Sequence, residues 1–119
     1  MLFVVDPAAA SSLADQIAAQ VRGAIGRGDV AAGQRLPPAR DLAAALEVNV
    51  HTVLRAYGEL RDEGLIELRR GRGAVVRAGV EADQVRLREL AREFVAAARR
   101  LGLRPADITA VIEEAQSCL

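Results

Sequence analysis

Apolar positions recur at helical spacing in five separate runs of the chain. In the first, Leu13, Ile17, Val21, Ala24 and Ile25 share one face. Ser12 stands before them as an N-cap with Asp15 three residues on, a capping-box variant, so the pattern predicts a helix over 13–26 that ends near Gly26 or Gly28. The stretch GDVAAGQRLPP, residues 28–38, holds two Gly and two Pro and reads as a connection. Pro38 suits the first turn of a second helix over 38–46, whose stripe is Leu42, Ala43 and Leu46. After the short turn Glu47-Val48-Asn49, a third helix is expected over 50–63. Its buried face is Val53, Leu54, Tyr57 and Leu60, and Gly64 is its C′ residue. Two β runs follow, LIEL at 65–68 and AVVR at 74–77, joined by Arg69-Arg70-Gly71-Arg72-Gly73 as a hairpin. At the start of the chain, LFVV at 2–5 reads as a short strand ended by Asp6-Pro7.

The pattern changes after Gly79. Leu87, Ala91, Phe94, Ala98 and Leu101 step by four, three, four and three, which is an a/d seam on a helix over 80–101. Gly102 stops it. Pro105 opens a fifth helix with Ile108, Val111, Ile112 and Ala115 on one face. Two short helices cannot bury Leu87, Phe94, Leu101, Ile108 and Ile112 by themselves, so this seam is expected to meet a second copy. The expected architecture is mostly α with a small β-hairpin: a winged helix-turn-helix over 1–78 and a two-helix dimerisation segment over 79–119.

Composition narrows this picture. Apolar residues make up 51% of the 119 positions but aromatics only 3%, with no Trp, so the core must be Leu, Val, Ile and Ala. The formal net charge is zero, so any nucleic-acid footprint must be local rather than global. All sixteen basic residues are Arg, the better side chain for bidentate contacts to phosphate and guanine. Four of them, and no acid, fall between residues 69 and 77. Cys118 is alone and cannot form an internal disulfide, which fits a reducing compartment. No run approaches the ~20 apolar residues of a membrane span, and the first residues lack the basic and small-residue flanks of a secretion signal. A cytoplasmic protein is expected.

The polar groups concentrate at one place. The stretch VNVHTVLRAY, residues 48–57, sets Asn49, the only histidine His51, and Thr52 at the start of the third helix. A helix fits the major groove, and the N-terminal residues of a recognition helix point at base edges. Asn can pair with adenine, Thr can donate to a phosphate or touch a thymine methyl, and His can bond either a base or a phosphate. The Arg-rich hairpin tip suits a wing laid on the backbone or minor groove. Arg55 of the third helix, Arg72 of the hairpin tip and Arg35 of the 28–38 connection are further phosphate candidates. One histidine makes neither a catalytic dyad nor a two-histidine metal site. With no Gly-rich phosphate loop or Cys/His cluster, neither an enzyme nor a cofactor is expected. A winged-helix protein-interaction module without DNA binding stays open as the alternative, because the net charge is zero.

The run GQRLPPARDLAAALEVNVHTVLRAYGELRDEGLIELRRGRGAVV, residues 33–76, resembles the N-terminal domain of GntR-family bacterial transcription regulators. The resemblance rests on Gly33 with Leu36-Pro37, Arg40-Asp41-Leu42-Ala43, Val48-Asn49, Thr52-Val53, Arg55-Ala56-Tyr57, Glu63-Gly64-Leu65-Ile66 and Gly71-x-Gly73, and it covers about residues 3–77. It implies that Arg40, Asn49, His51, Thr52, Arg70 and Gly71 occupy DNA-contact positions. Val50 and Leu54 depart from the family, in which many members carry Arg at the first position and a polar or basic residue at the second. The short remainder resembles the YtrA subfamily, whose helical tail dimerises. That implies a homodimeric regulator, a repressor, on double-stranded DNA with two-fold-related half-sites, its interface built from Leu87, Ala91, Phe94, Ala98, Leu101, Ile108 and Ile112. It also implies little room for a small-molecule effector.

Overall fold

The computed structural model describes all 119 residues. Five helices and one hairpin follow in the order α1 Leu13–Gly26, α2 Ala39–Leu46, α3 Val50–Asp62, β1 Ile66–Arg69, β2 Gly73–Val76, α4 Ala82–Arg100 and α5 Pro105–Ser117.

Local chemistry sets the boundaries. The Ser12 hydroxyl accepts the Asp15 N–H at 3.1 Å and opens α1. α3 ends in a Schellman motif: Gly64 has φ 80°, its N–H bonds the Arg61 carbonyl, and the Leu65 N–H bonds the Leu60 carbonyl. α2 ends in the same motif, but there Glu47 takes the left-handed position with φ 56°, the only non-glycine residue at positive φ. β1 and β2 pair antiparallel with Ile66 opposite Val76 and Arg69 opposite Gly73. The incoming loop adds a partial third edge, in which Leu36 N–H bonds Ala74 O and Val76 N–H bonds Gln34 O, both at 2.8 Å.

One aliphatic core joins these elements. Ile17, Val21, Val53, Leu60, Ile66 and Val76 are fully buried, and Val85 of α4 belongs to the same cluster. Tyr57 is buried with them and its hydroxyl donates to the Pro37 carbonyl at 2.7 Å. Burial pushes its pKa well above the usual tyrosine value. α4 crosses the end of α1 closely: a Cβ on Gly26 would lie 3.1 Å from the Arg86 Cα, so any larger residue would push the two helices apart by a few tenths of an ångström.

Three expectations change. Residues 2–5 form no strand, because no neighbouring strand exists to pair with them. The extended segment is held by glutamine amides of α1 instead. Gln20 accepts from Val4 N–H at 2.8 Å and donates to Val4 O at 2.6 Å, and Gln16 does the same for Asp6 at 2.7 and 2.9 Å. Leu54 is 45% exposed rather than buried. The inward face of α3 is Val53, Ala56, Tyr57 and Leu60, and Leu54 lies about 100° around the helix from Val53. Third, Ala98 is buried within its own chain and offers nothing to a partner. It occupies the C3 position of another Schellman motif, in which Leu103 N–H bonds Ala98 O and Gly102 N–H bonds Arg99 O, both at 3.0 Å.

The rest of the seam is uncovered. Leu87 is 67% exposed and Leu101 79%. Ala91 and Ile112 are also exposed, while Phe94 and Ile108 are half-buried. No residue of α5 is buried. The radius of gyration is accordingly 16.0 Å, against about 13–14 Å for a compact chain of this length. No helix is long and apolar enough to cross a membrane.

Candidate nucleic-acid interface

Asn49 is the N-cap of α3, its Oδ1 accepting the His51 N–H at 2.8 Å. That alters what it offers a base. Bidentate pairing with adenine needs Oδ1 to accept and Nδ2 to donate. One lone pair of Oδ1 is already engaged, whereas the amide NH2 has no partner in the chain and remains a free donor. His51 is exposed, its ring makes no hydrogen bond, and Thr52 beside it is half-buried. Together with Arg55 these residues line a cleft of 410 Å³ that also takes in Ser12, Leu13 and Ala14. The N-termini of α1 and α3 thus open onto one space, where unsatisfied N–H groups and the positive dipole ends favour an anion such as a phosphate.

The hairpin forms the second group. Arg70, Gly71 and Arg72 sit at its exposed tip, with Gly71 at φ 81° and Gly73 at φ 71° making the tight turn. Arg35 belongs with them rather than with the loop. Its backbone bridges Val75, and its Nε donates to the Arg72 carbonyl at 3.1 Å. Arg40 stands apart, exposed in the first turn of α2.

The arginines divide into paired and unpaired. Seven arginines, among them Arg22, Arg69 and Arg92, lie within 4.0 Å of a carboxylate. The other nine have none: Arg35, Arg40, Arg55, Arg70 and Arg72, and on α4 Arg86, Arg88, Arg99 and Arg100. Arg40 therefore does not brace α2 through an ion pair. The zero net charge of the chain thus includes unpaired guanidinium groups on α2, α3 and the hairpin, beside the polar start of α3. Such groups can neutralise phosphates. No group of three or more His, Cys, Asp or Glu side chains converges as metal ligands would.

The opposite end of α3 is fixed by an ion network. Glu63, its C-cap, accepts from Arg22 Nε of α1 at 2.9 Å and from Arg92 Nη2 of α4 at 3.2 Å. Arg92 Nη1 also donates at 2.6 Å to Glu89, the one buried charged residue of the chain. Burial alone would raise the Glu63 pKa, but the hydrogen bonds and charges of Arg22 and Arg92 outweigh it and hold the carboxyl below its usual range. The Glu63 hydrogen bond in turn raises the pKa of Arg22.

Two residues on the outward face of α3 escaped sequence reasoning. Periodicity alone places Leu54 in the buried face, although many members of the resembling family carry a polar or basic residue there, and it gives Gly58 no role. Angular position shows both, because the outward residues His51 and Arg55 precede them by three residues in each case.

Comparison with known proteins agrees with this geometry. The model of the family described as bacterial regulatory proteins, gntR family, matches residues 13–76. The HTH-type transcriptional regulator Rv1152 of Mycobacterium tuberculosis is 38% identical over 103 residues, covering 87% of this chain and 84% of its own. The HTH-type transcriptional repressor YtrA of Bacillus subtilis is 31% identical, covering 83% and 80%. Among solved structures, YtrA from Sulfolobus acidocaldarius, a GntR-family transcription factor, superposes with a TM-score of 0.62 at 31% identity over 98% of both chains.

Proposed function

The chain belongs to the GntR family of bacterial regulatory proteins and is a winged helix-turn-helix DNA-binding transcription regulator, and we propose that it works as a homodimeric repressor on a two-fold-related operator. Residues 1–78 carry the DNA-binding part and residues 79–119 the dimerising part, although α4 shares its Val85 with the core of the first. α3 enters the major groove with Asn49, His51, Thr52 and Arg55. Arg35, Arg70, Gly71 and Arg72 form a wing against the backbone, and Arg40 takes a phosphate. The observation that carries this reading is the placement of unpaired arginines beside the polar start of α3: Arg55 on the helix, Arg40 on α2, and Arg35, Arg70 and Arg72 at the hairpin have no carboxylate within 4.0 Å. It also answers the zero net charge that favoured a protein-interaction module.

Dimerisation is supported by the uncovered seam. Leu87, Ala91, Leu101 and Ile112 are exposed, Phe94 and Ile108 are only half-buried, and α5 has no buried residue. A two-fold dimer presents two α3 helices to two half-sites. Repression is supported by the similarity to a relative named as a repressor. The reading needs no catalytic group, cofactor or effector, and it places the protein with the chromosome in the cytoplasm.

Fluorescence anisotropy tests it, with labelled duplex from upstream of the gene against scrambled duplex at two salt concentrations. Tight binding to the native duplex alone, weakening steeply with salt through counterion release, is expected. Equal binding to both duplexes would refute a sequence-specific operator in that region. Sedimentation of the free protein as a monomer would refute the dimer.

A further inference from the structure

We propose that Leu54 is a base-reading residue that packs against a thymine C5-methyl group in the major groove. The proposal rests on the reading of α3 as the recognition helix. It starts from a local conflict. Every other large apolar side chain of α3 is at least half-buried, but Leu54 is 45% exposed with nothing in the chain covering it. Its position on the helix is specific. At about 100° per residue it lies roughly 60° from His51 and 100° from Arg55, on the same outward arc as these two polar groups. Isolated surface leucines are common; one beside His51 and Arg55, at the edge of their outward arc, is placed where a groove floor would meet it.

The surroundings leave room for such a contact. Gly58 is one turn further along, and a Cβ there would meet only the tip of Arg61, at 3.8 Å. Glycine lowers helix stability in such a position relative to alanine, and nothing inside the chain requires it. Its presence leaves a smooth surface beside Leu54 over which base edges can come close. Among the groups that base pairs display in the major groove, the thymine C5-methyl is the apolar one. A leucine can neither donate nor accept a hydrogen bond, so the methyl is the feature it can recognise. Val50, half-buried at the start of the same helix, cannot extend as far. Sequence reading at this position is thus by apolar contact, in place of the hydrogen bonds a polar residue would make.

The test uses the full-length protein. An operator is first selected from random duplexes, and each thymine in it is then replaced singly by deoxyuridine, which removes the methyl and keeps the pairing. Dissociation constants are measured by anisotropy for the wild type and for Leu54→Ala, whose folding is checked by circular dichroism. At one position per half-site, deoxyuridine is expected to weaken wild-type binding about three- to tenfold, as the burial of one methyl group implies. The same replacement should leave Leu54→Ala unchanged. If no thymine is sensitive, or if the variant loses as much as the wild type, Leu54 reads no methyl while DNA binding stands. If selection returns no common sequence, the recognition-helix reading falls and this assignment with it.

Discussion

Replacing Arg22 by alanine should destabilise the chain far more than replacing a typical surface arginine. Arg22 holds Glu63 through two hydrogen bonds and lies 3.9 Å from the buried Glu89. Its side chain is only 11% exposed. Charge-assisted hydrogen bonds contribute about 1.5–3 kcal/mol each, and the partial exposure of Glu63 puts these two at the low end. Removing one partner of a fully buried pair costs about 3–5 kcal/mol, but here Arg92 stays behind to hold both carboxylates. The loss should therefore be about 2–3 kcal/mol, a Tm decrease of roughly 8–12 °C for a chain of this size. Arg27 supplies the internal control. It pairs with Asp29 at 3.0 Å, yet both side chains are largely exposed, and exposed pairs contribute about 0–1 kcal/mol. Urea denaturation followed by circular dichroism measures both. If Arg22→Ala loses no more than Arg27→Ala, the network linking α1, α3 and α4 contributes no more than surface ion pairs do, and the reasoning fails.

Glu63→Gln tests the same network through pH. The folded-state pKa of Glu63 is depressed, so its contribution is present above the ordinary carboxylate range and is lost as pH falls through the folded value; the variant should lose less stability than the wild type in acid titrations, and parallel curves would contradict this. Glu47→Gly should raise stability by about 0.5–1 kcal/mol by relieving a left-handed non-glycine residue, read as a higher urea midpoint with unchanged slope. Phe94→Asp should yield monomers in sedimentation velocity, and an unchanged dimer would remove this part of α4 from the interface. Arg70→Ala should weaken binding to all duplexes alike and lower the salt slope by about 1; a loss confined to one sequence would instead make Arg70 a base reader.

Much of the fold was legible because its signals are local. Ser12 with Asp15, the turn at 47–49 and Gly64 each fix a helix end within a few residues of sequence, and the observed ends agree to within about two positions. The N-terminal segment was misread because β-branched residues say nothing about who pairs with them. Its true partner was nonetheless written in α1. Gln16 and Gln20 are four residues apart on a helix, about 6 Å, and Val4 and Asp6 are two apart in an extended chain, about 7 Å. Leu54 was misread because it and Val53 are adjacent and both fit helical spacing with later residues. Only the position of α1 decides which of them faces inward. The ion network was not legible at all, since Arg22 and Glu63 are 41 residues apart. The site residues were legible by type, but that Arg35 joins the wing and that Asn49 spends one acceptor on its own helix required coordinates.

The two ends of α3 therefore perform separable tasks. Its first turn carries the free donors that face outward, and its last residue is locked to two other helices. Arg92 lies on α4 in the stretch between Leu87 and Leu101, the same stretch whose apolar seam is open to a second copy. Glu63 thus joins the recognition helix directly to the helix proposed to dimerise. The close crossing at Gly26 and Arg86 fixes α4 on α1 from the other side. A rotation of α3 relative to α4 would break the Glu63–Arg92 pair. A dimer built through α4 would hold its two α3 helices at a set separation, as recognition of half-sites about 34 Å apart demands. Half-site spacing would then depend in part on Glu63, Arg22 and Arg92, which lie outside the proposed DNA-contact set.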